Sequence, residues 1–440
     1  MARAMKDSGI PWIGKIPENW STTKIKHHFD IIAGATPKSE QPKYWDGQIS
    51  WITPADYKTQ DKYVSHGRKY LTKEGYDSCG TTIVPANSII FSKRAPVGTV
   101  AITANELCTN QGCLSCVIRN NQDTDAVYYY YAMSSFTEQF ELVSTGTTFK
   151  EIAADVFANF FLPRPPYSIQ RNIAVFLDFE CARIDAVMEQ TRASIEEYKK
   201  LKQSIITEAV TKGIRPNRPM KDSGIDWIGT IPKEWKVRPL KNIISLIESG
   251  VSVNAAQHAA NEAEIGVLKT SCVSKFVFIP SENKAVDADE LARVSCPVKA
   301  NTLIVSRMNT PDLVGACGYV EKDYFNLFLP DRLWQVHFSD GISVKYIWYY
   351  MNNRQIRSYY GSLAVGTSSS MQNISQDQFY NTLALMPDRE EQNEIVCYLD
   401  RYIGEIDSAI RHKENLCSEM EAYKKSLIFE YVTGKKEVNA

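Results

Sequence analysis

Long apolar runs are missing from this 440-residue chain: none approaches the roughly eighteen residues that a membrane-spanning helix needs. Residues 1–9 are polar and contain no signal-peptide core, so a cytoplasmic location is expected. Excess charge is missing too. Fifty Lys and Arg stand against fifty-one Asp and Glu, a net charge of −1, which argues against a small basic protein holding nucleic acid by bulk charge. The ten cysteines form no framework. Cys113 and Cys116 make a single CxxC with no second pair or nearby His to complete a zinc site, and they read as buried strand residues with reduced thiols. His27, His28, His66, His258, His337 and His412 lack a metal-like spacing, so no metal site is expected. No Walker A loop, strand-following GxGxxG, HExxH or GxSxG occurs. Arg164-Pro165-Pro166-Tyr167 superficially resembles the [D/N]PP[Y/F] loop of amino-methyltransferases. That loop needs a side chain that accepts a hydrogen bond from the target amine, and Arg only donates. The chain reads as a non-enzyme.

What is present is repetition. Residues 5–20 read MKDSGIPWIGKIPENW and residues 220–235 read MKDSGIDWIGTIPKEW, identical at twelve of sixteen positions. Such agreement marks an internal duplication. Trp12, Ile13, Ile16 and Trp20, with Trp227, Ile228, Ile231 and Trp235, have the character of a packing clasp. A second repeat joins 170–211 to 392–433 at a constant offset of 222 positions. Its apolar residues recur at alternating steps of four and three, the seam of a coiled coil. The first seam is expected to use Ile173, Leu177, Ile184, Val187, Tyr198, Leu201 and Ile205; the second, Ile395, Leu399, Ile406, Leu416, Met420, Tyr423 and Leu427. Asp388 with Glu391 should form a capping box before the second helix, and Ser168 a weaker cap before the first. Gly213 and Gly434 should end the helices.

Between clasp and helix, each half carries a β-rich stretch followed by a Tyr-rich helical segment (126–143 and 344–363) that reads as core. The expected fold is α+β: two globular, mixed β-rich domains with short helices, separated by two long helices in an antiparallel coiled coil, with pseudo-two-fold internal duplication. The boundaries are 1–162 and 214–384 for the globular domains, 163–213 and 385–440 for the helices. Two-fold pairing makes the helices antiparallel. Forty residues at 1.5 Å each make a spacer about 60 Å long.

The order of clasp, variable domain and long helix, given twice, resembles the specificity subunit of type I DNA restriction–modification systems. The resemblance covers essentially the whole chain. It rests on Gly34-Ala35-Thr36-Pro37, Tyr44-Trp45-Asp46-Gly47, Ile49-Ser50-Trp51-Ile52, the run from Ser92 to Gly98, and Asn110-Gln111-Gly112. In the second half Leu303 to Asn309 and Val314-Gly315 look like the equivalent strand and turn, and Gln170, Leu177-Asp178, Pro387, Glu391-Gln392 and Leu399-Asp400 match the helix openings. The second domain departs from the pattern, keeping only Ser249-Gly250-Val251 of the opening motif.

The resemblance implies two target recognition domains reading a split, asymmetric double-stranded DNA site, one half each. It also implies partners: two modification (methyltransferase) subunits carrying S-adenosylmethionine, and ATP-driven restriction subunits, with no cofactor on this chain and no membrane. Candidate base-reading residues are Lys93, Arg94, Asn110, Gln111, Arg307 and Asn309, flanked by Ser92 and Ser306; Arg94 and Arg307 are expected at corresponding positions. Lys38, Lys43, Tyr44, Thr147, Thr148, Lys150, Ser368 and Ser369 are candidate backbone contacts. Two rival readings are a two-headed scaffold without DNA and a self-contained DNA adenine methyltransferase.

Overall fold

The computed structural model describes residues 3–58, 61–146, 150–363, 365–368 and 371–438, with no side-chain detail at 365–368 and 371. The fold is α+β, with long helices at Tyr167–Lys212 and Arg389–Val432. The chain forms two compact units. The first holds residues 1–191 and 415–440, the second residues 192–414. Each unit therefore contains one clasp, one globular domain and a part of both long helices.

In the first unit the central sheet has the order Phe29–Ala33, Cys113–Ile118, Ile89–Ser92, Val100–Thr103, Tyr63–Val64. The first four strands pair antiparallel. In the second unit Ile244–Ser249, Leu333–Phe338, Thr302–Ser306 and Cys317–Val320 lie in the same order, again antiparallel. The same sheet thus occurs twice on almost unrelated residues. The two inner strands preceding each turn, Ile89–Ser92 and Thr302–Ser306, are buried at every position, which explains their continuous apolar runs. Cys113 and Cys116 lie buried on the strand Cys113–Ile118, and burial pushes the Cys113 thiol up to about 12.

The expected helices 126–143 and 344–363 are each broken in two. Phe136 leaves helical geometry between Ala126–Ser135 and Thr137–Leu142. Asn352 and Asn353 separate Val344–Met351 from Arg354–Leu363. Tyr128 to Tyr131 all lie in the core. Tyr131 and Tyr349 each donate to an aspartate of a long helix, Asp178 and Asp400, at 2.7 Å in both units.

Each clasp is a two-stranded ribbon, Met5–Asp7 with Lys15–Pro17 and Met220–Asp222 with Thr230–Pro232. Trp20 and Trp235 sit 1% exposed behind the ribbons, each burial contributing about 2–3 kcal/mol. Glu391 caps only in part: its backbone N–H donates to Asp388 Oδ1 at 2.8 Å, but its carboxylate takes Arg218 and, at 2.9 Å, Trp235 Nε1. The reciprocal bond of a capping box is therefore not made. Ile169 holds the equivalent place in the first unit, and Trp20 Nε1 has no partner among the described residues. At the start of the first helix Pro166 O accepts from the N–H groups of Ile169 and Gln170, and among the described residues Ser168 makes no side-chain cap. Both helices end in a left-handed glycine, Gly213 at φ +74° and Gly434 at φ +72°. A Cβ on Gly434 would fall 2.6 Å from the Pro17 ring.

Within each unit the two helices run antiparallel. In the first, the Phe176 and Tyr431 rings pack tilted at 4.4 Å and Asp185 pairs with Lys424. In the second, Lys202 pairs with Asp407 and Arg215 with Glu394. Ile173, Leu177, Ile184, Ile395, Leu399, Ile406 and Leu427 are buried as expected, and Tyr198, Ile205 and Met420 are half-buried. Four expected seam residues are not in the seam. Val187, Leu201, Leu416 and Tyr423 are 38%, 48%, 42% and 52% exposed. Their places are taken one residue later, by Met188, Lys202, Cys417 and Lys424. The helix anchors allow a partner at either three or four positions on, and the four-position set wins because it also brings Ile195 and Ile410 into one cluster with Ile406.

Candidate nucleic-acid interface

The motifs around Gly34 and Asn110 are brought together by close backbone approach. A Cβ on Gly34 would strike the Thr109 and Asn110 carbonyls, so only glycine lets the two loops meet. Trp51 Nε1 donates to Ala35 O at 3.0 Å, and the Thr36 hydroxyl donates to Gln111 Oε1. Asn110 Oδ1 accepts from Gly112 N–H at 2.9 Å, an Asx turn that leaves Gln111 exposed. Gly112 O in turn accepts from Lys93 N–H at 2.9 Å, and Lys93 O accepts from Ile152 N–H at 3.0 Å. The loops 34–38, 93–98 and 110–112, with the chain at 150–152, thus form one continuous surface.

On that surface Lys38, Gln111 and Lys150 are exposed. Lys93 Nζ pairs with Glu151 at 2.7 Å, and Arg94 lies 3.7 Å from the other oxygen of the same carboxylate. The hydrogen bond from Lys93 holds the Glu151 carboxyl below the usual range. Lys43, on the short helix Pro42–Tyr44, pairs with Glu74 and lies over the Tyr44 ring. Ser92 is not available for contact: it is fully buried and donates to Arg94 O and Pro96 O at 2.8 and 2.6 Å, stapling the turn. Thr147 and Thr148 lie outside the described residues.

The second domain builds the same place differently. Gly250, in the Ser249-Gly250-Val251 that survives of the opening motif, presses on the Leu329 carbonyl as Gly34 does on Thr109. Arg307 N–H donates to Arg332 O at 3.2 Å and Arg307 O accepts from Ile374 N–H at 3.1 Å, the pattern Lys93 makes with Gly112 and Ile152. Met308 pairs with Asn373 where Arg94 pairs with Glu151. Arg307 therefore corresponds to Lys93 and not to Arg94. Lys93 and Arg307 each directly follow the serine that ends the strand; the turns differ only further on, Ser92 closing on Gly98 and Ser306 on Gly315, three residues later. Ser306 is fully buried and also unavailable; its hydroxyl donates to Met308 O, and Asn309 Nδ2 donates to it at 3.3 Å. Ser369 lies outside the described residues, as does the side chain of Ser368.

Two residues here were missed by sequence reasoning. Glu151 is the carboxylate that binds both cations of the first turn, and Arg332 is an exposed cation beside Arg307. Arg332 could have been found by aligning the strands starting at Cys113 and Leu333, which places it opposite Gly112. Nothing short of the fold pairs Glu151 with position 93.

Residues 17–197 match the family model for the type I restriction modification DNA specificity domain. The MjaIX type I restriction enzyme specificity subunit of Methanocaldococcus jannaschii is 29% identical over 281 residues, 62% of this chain and 62% of that protein. The aligned part spans only 45% of the putative MjaX specificity subunit from the same organism. The EcoKI specificity subunit of Escherichia coli K12 is 21% identical across 92% of this chain and 88% of its own. A chain from a structure describing assembly and conformational transition of a type I restriction–modification system superposes with a TM-score of 0.72 at 14% identity, covering 96% of this chain and 99% of that one. The HsdS subunit of Thermoanaerobacter tengcongensis gives 0.53, with 96% and 98% covered. These likenesses show a shared fold.

Proposed function

From a chain that carries the type I restriction–modification DNA specificity domain over residues 17–197 and shares the fold of specificity subunits, we infer a non-catalytic DNA-recognition subunit that reads a two-part, asymmetric duplex site. Each globular domain takes one half-site. One observation carries the reading: the same four-stranded sheet occurs twice and presents a cation-bearing turn at the same place, Lys93 and Arg94 in one copy and Arg307 in the other. Copied frames with different turn residues suit two unlike half-sites. Arg and Lys there suit phosphate oxygens or the guanine edge. The long helices set the gap, since half-sites on one face of B-DNA lie about 34 Å apart or at multiples of that.

Chemistry would come from partner subunits: methyltransferases holding S-adenosylmethionine, and an ATP-dependent restriction subunit. A surface for them is favoured by apolar side chains on the outer helix faces. Val175 and Phe179 are 67% and 66% exposed one turn apart, and Tyr402, Leu416 and Tyr423 lie exposed on the second helix. Partners that add phosphate contacts would also account for a specificity subunit with a net charge of −1.

The test is a gel shift of random-sequence duplex with the purified chain, alone and with its host's methyltransferase subunit. The reading expects a retained, sequence-enriched complex with the partner, and no retention of labelled S-adenosylmethionine by the chain alone. A chain that binds no duplex under either condition would leave the scaffold reading in its place.

A further inference from the structure

The two turns differ in one electrostatic respect. In the first, Glu151 stands opposite Arg94 in the bridge between turn and hairpin base, and its carboxylate engages both Lys93 and Arg94. In the second, the bridge partner at that place is Asn373. Among the described residues no carboxylate pairs with the cation there, Arg307; its buried Nε has no hydrogen-bond partner, and neither does Asn373 Oδ1. Arg332, which is exposed, adds a second cation beside the half-buried Arg307. Among the described residues a carboxylate thus pairs with the cations of the first turn, and none pairs with Arg307 in the second.

We propose that Glu151 is an internal competitor for DNA at the first head, occupying the cations that the duplex must take, so that the second head holds DNA more strongly than the first. This rests on the DNA-recognition reading and adds a ranking of the heads and the residue that sets it. A carboxylate presents the same charge and acceptor geometry to a guanidinium or ammonium as a phosphate does. Each donor and share of charge that Lys93 and Arg94 give to Glu151 is one that a phosphate or a guanine does not receive. The competition is modest, because Glu151 and Arg94 are 40% and 39% exposed and water screens the pair. It corresponds to about fivefold in affinity. Glu141 lines the same open groove as Arg94, Lys150 and Glu151 without pairing with either cation, so it serves as a control for simple loss of negative charge.

The experiment exchanges the two bridge residues in the full chain with its methyltransferase partner, and measures duplex binding by fluorescence anisotropy across a salt series. Glu151→Asn should tighten binding about fivefold and steepen the log–log salt dependence by about one unit, the release expected for one more phosphate contact. Asn373→Glu should weaken binding by a similar factor. The gain from Glu151→Asn should vanish when Lys93→Met and Arg94→Met are also present, and Glu141→Gln should give a smaller gain that survives in that background. Wild-type affinity in both exchange variants would overturn the proposal, as would a Glu151→Asn gain that persists without Lys93 and Arg94. If the wild-type complex binds no duplex, it is the DNA-recognition reading that fails.

Discussion

Lys424 donates to both carboxylate oxygens of Asp185, at 2.7 and 2.6 Å, and 222 positions away Lys202 does the same to Asp407, at 2.7 and 2.8 Å. Duplication placed the same Lys and Asp on both helices, and antiparallel pairing makes each helix's Lys meet the other's Asp. The pairs sit where the apolar seam thins, with the lysine stems 25% and 28% exposed. Reversing one partner, Asp185→Lys, should destabilise the first unit by about 0.5–1 kcal/mol, and adding Lys424→Asp should restore most of the loss. Urea denaturation of the three variants checks this; an uncoupled double variant would mean that the pair contributes nothing.

The second clasp depends on a buried charge. Arg218 and Glu391 are 11% and 3% exposed, and the same carboxylate accepts from Trp235. Glu391→Ala leaves the indole N–H without an acceptor and the guanidinium with only Glu234, at 3.3 Å, and should cost about 3 kcal/mol. The matching change in the first clasp, Ile169→Ala, removes no acceptor and should cost less. Thermal unfolding of both variants separates the two.

Replacing either helix-ending glycine should destabilise its unit. Gly434→Ala forces a Cβ into the left-handed region and against Pro17, and about 1–2 kcal/mol of stability should be lost. A Gly434→Ala chain as stable as wild type would mean that the clasp does not constrain the helix end.

Acid should weaken the first unit through one histidine. Burial, with help from the nearby Arg164 charge, lowers His28 to about 4, while Asp123 opposes the shift. The folded state therefore keeps His28 neutral, bonded to Thr124 at 2.7 Å. Between pH 6.5 and 4 the unfolded chain takes a proton there that the folded chain refuses, so stability falls across that window, by about 2–3 kcal/mol at its lower end. A His28→Gln variant should lose this part of the pH dependence. Urea midpoints at pH 7 and pH 4.5 measure the difference.

Among the DNA candidates, Arg307→Ala should weaken binding by about 1–3 kcal/mol if its guanidinium reads a base, and should relax sequence preference in one half-site only. Uniform weakening across all sequences would make Arg307 a phosphate contact instead.

The duplication, the clasps and the two helices with their terminal glycines were legible in sequence because packing demands a local, periodic pattern. The seam was legible only to within one residue. Leu201 and Tyr423 are as apolar as a seam residue should be, and what displaces them is the fit of Ile195, Ile406 and Ile410, a property of two helices together. Arg94 rather than Lys93 looked like the partner of Arg307 because the two share a side-chain type, whereas the backbone bonds of the turn pair Arg307 with Lys93. Ser92 and Ser306 carried the expected motif, but as staples inside their turns. Glu151 belongs to the site only through a bridge across more than fifty residues of chain, which periodicity cannot register.

Selection of duplexes from a random library by the chain assembled with its methyltransferase partner, followed by sequencing, tests the central claim most directly. The account predicts an enriched motif of two unlike specified blocks separated by a gap of fixed length and free sequence, with Arg307→Ala degrading one block and leaving the other intact. A single continuous motif, a gap of variable length, or no enrichment at all would contradict it.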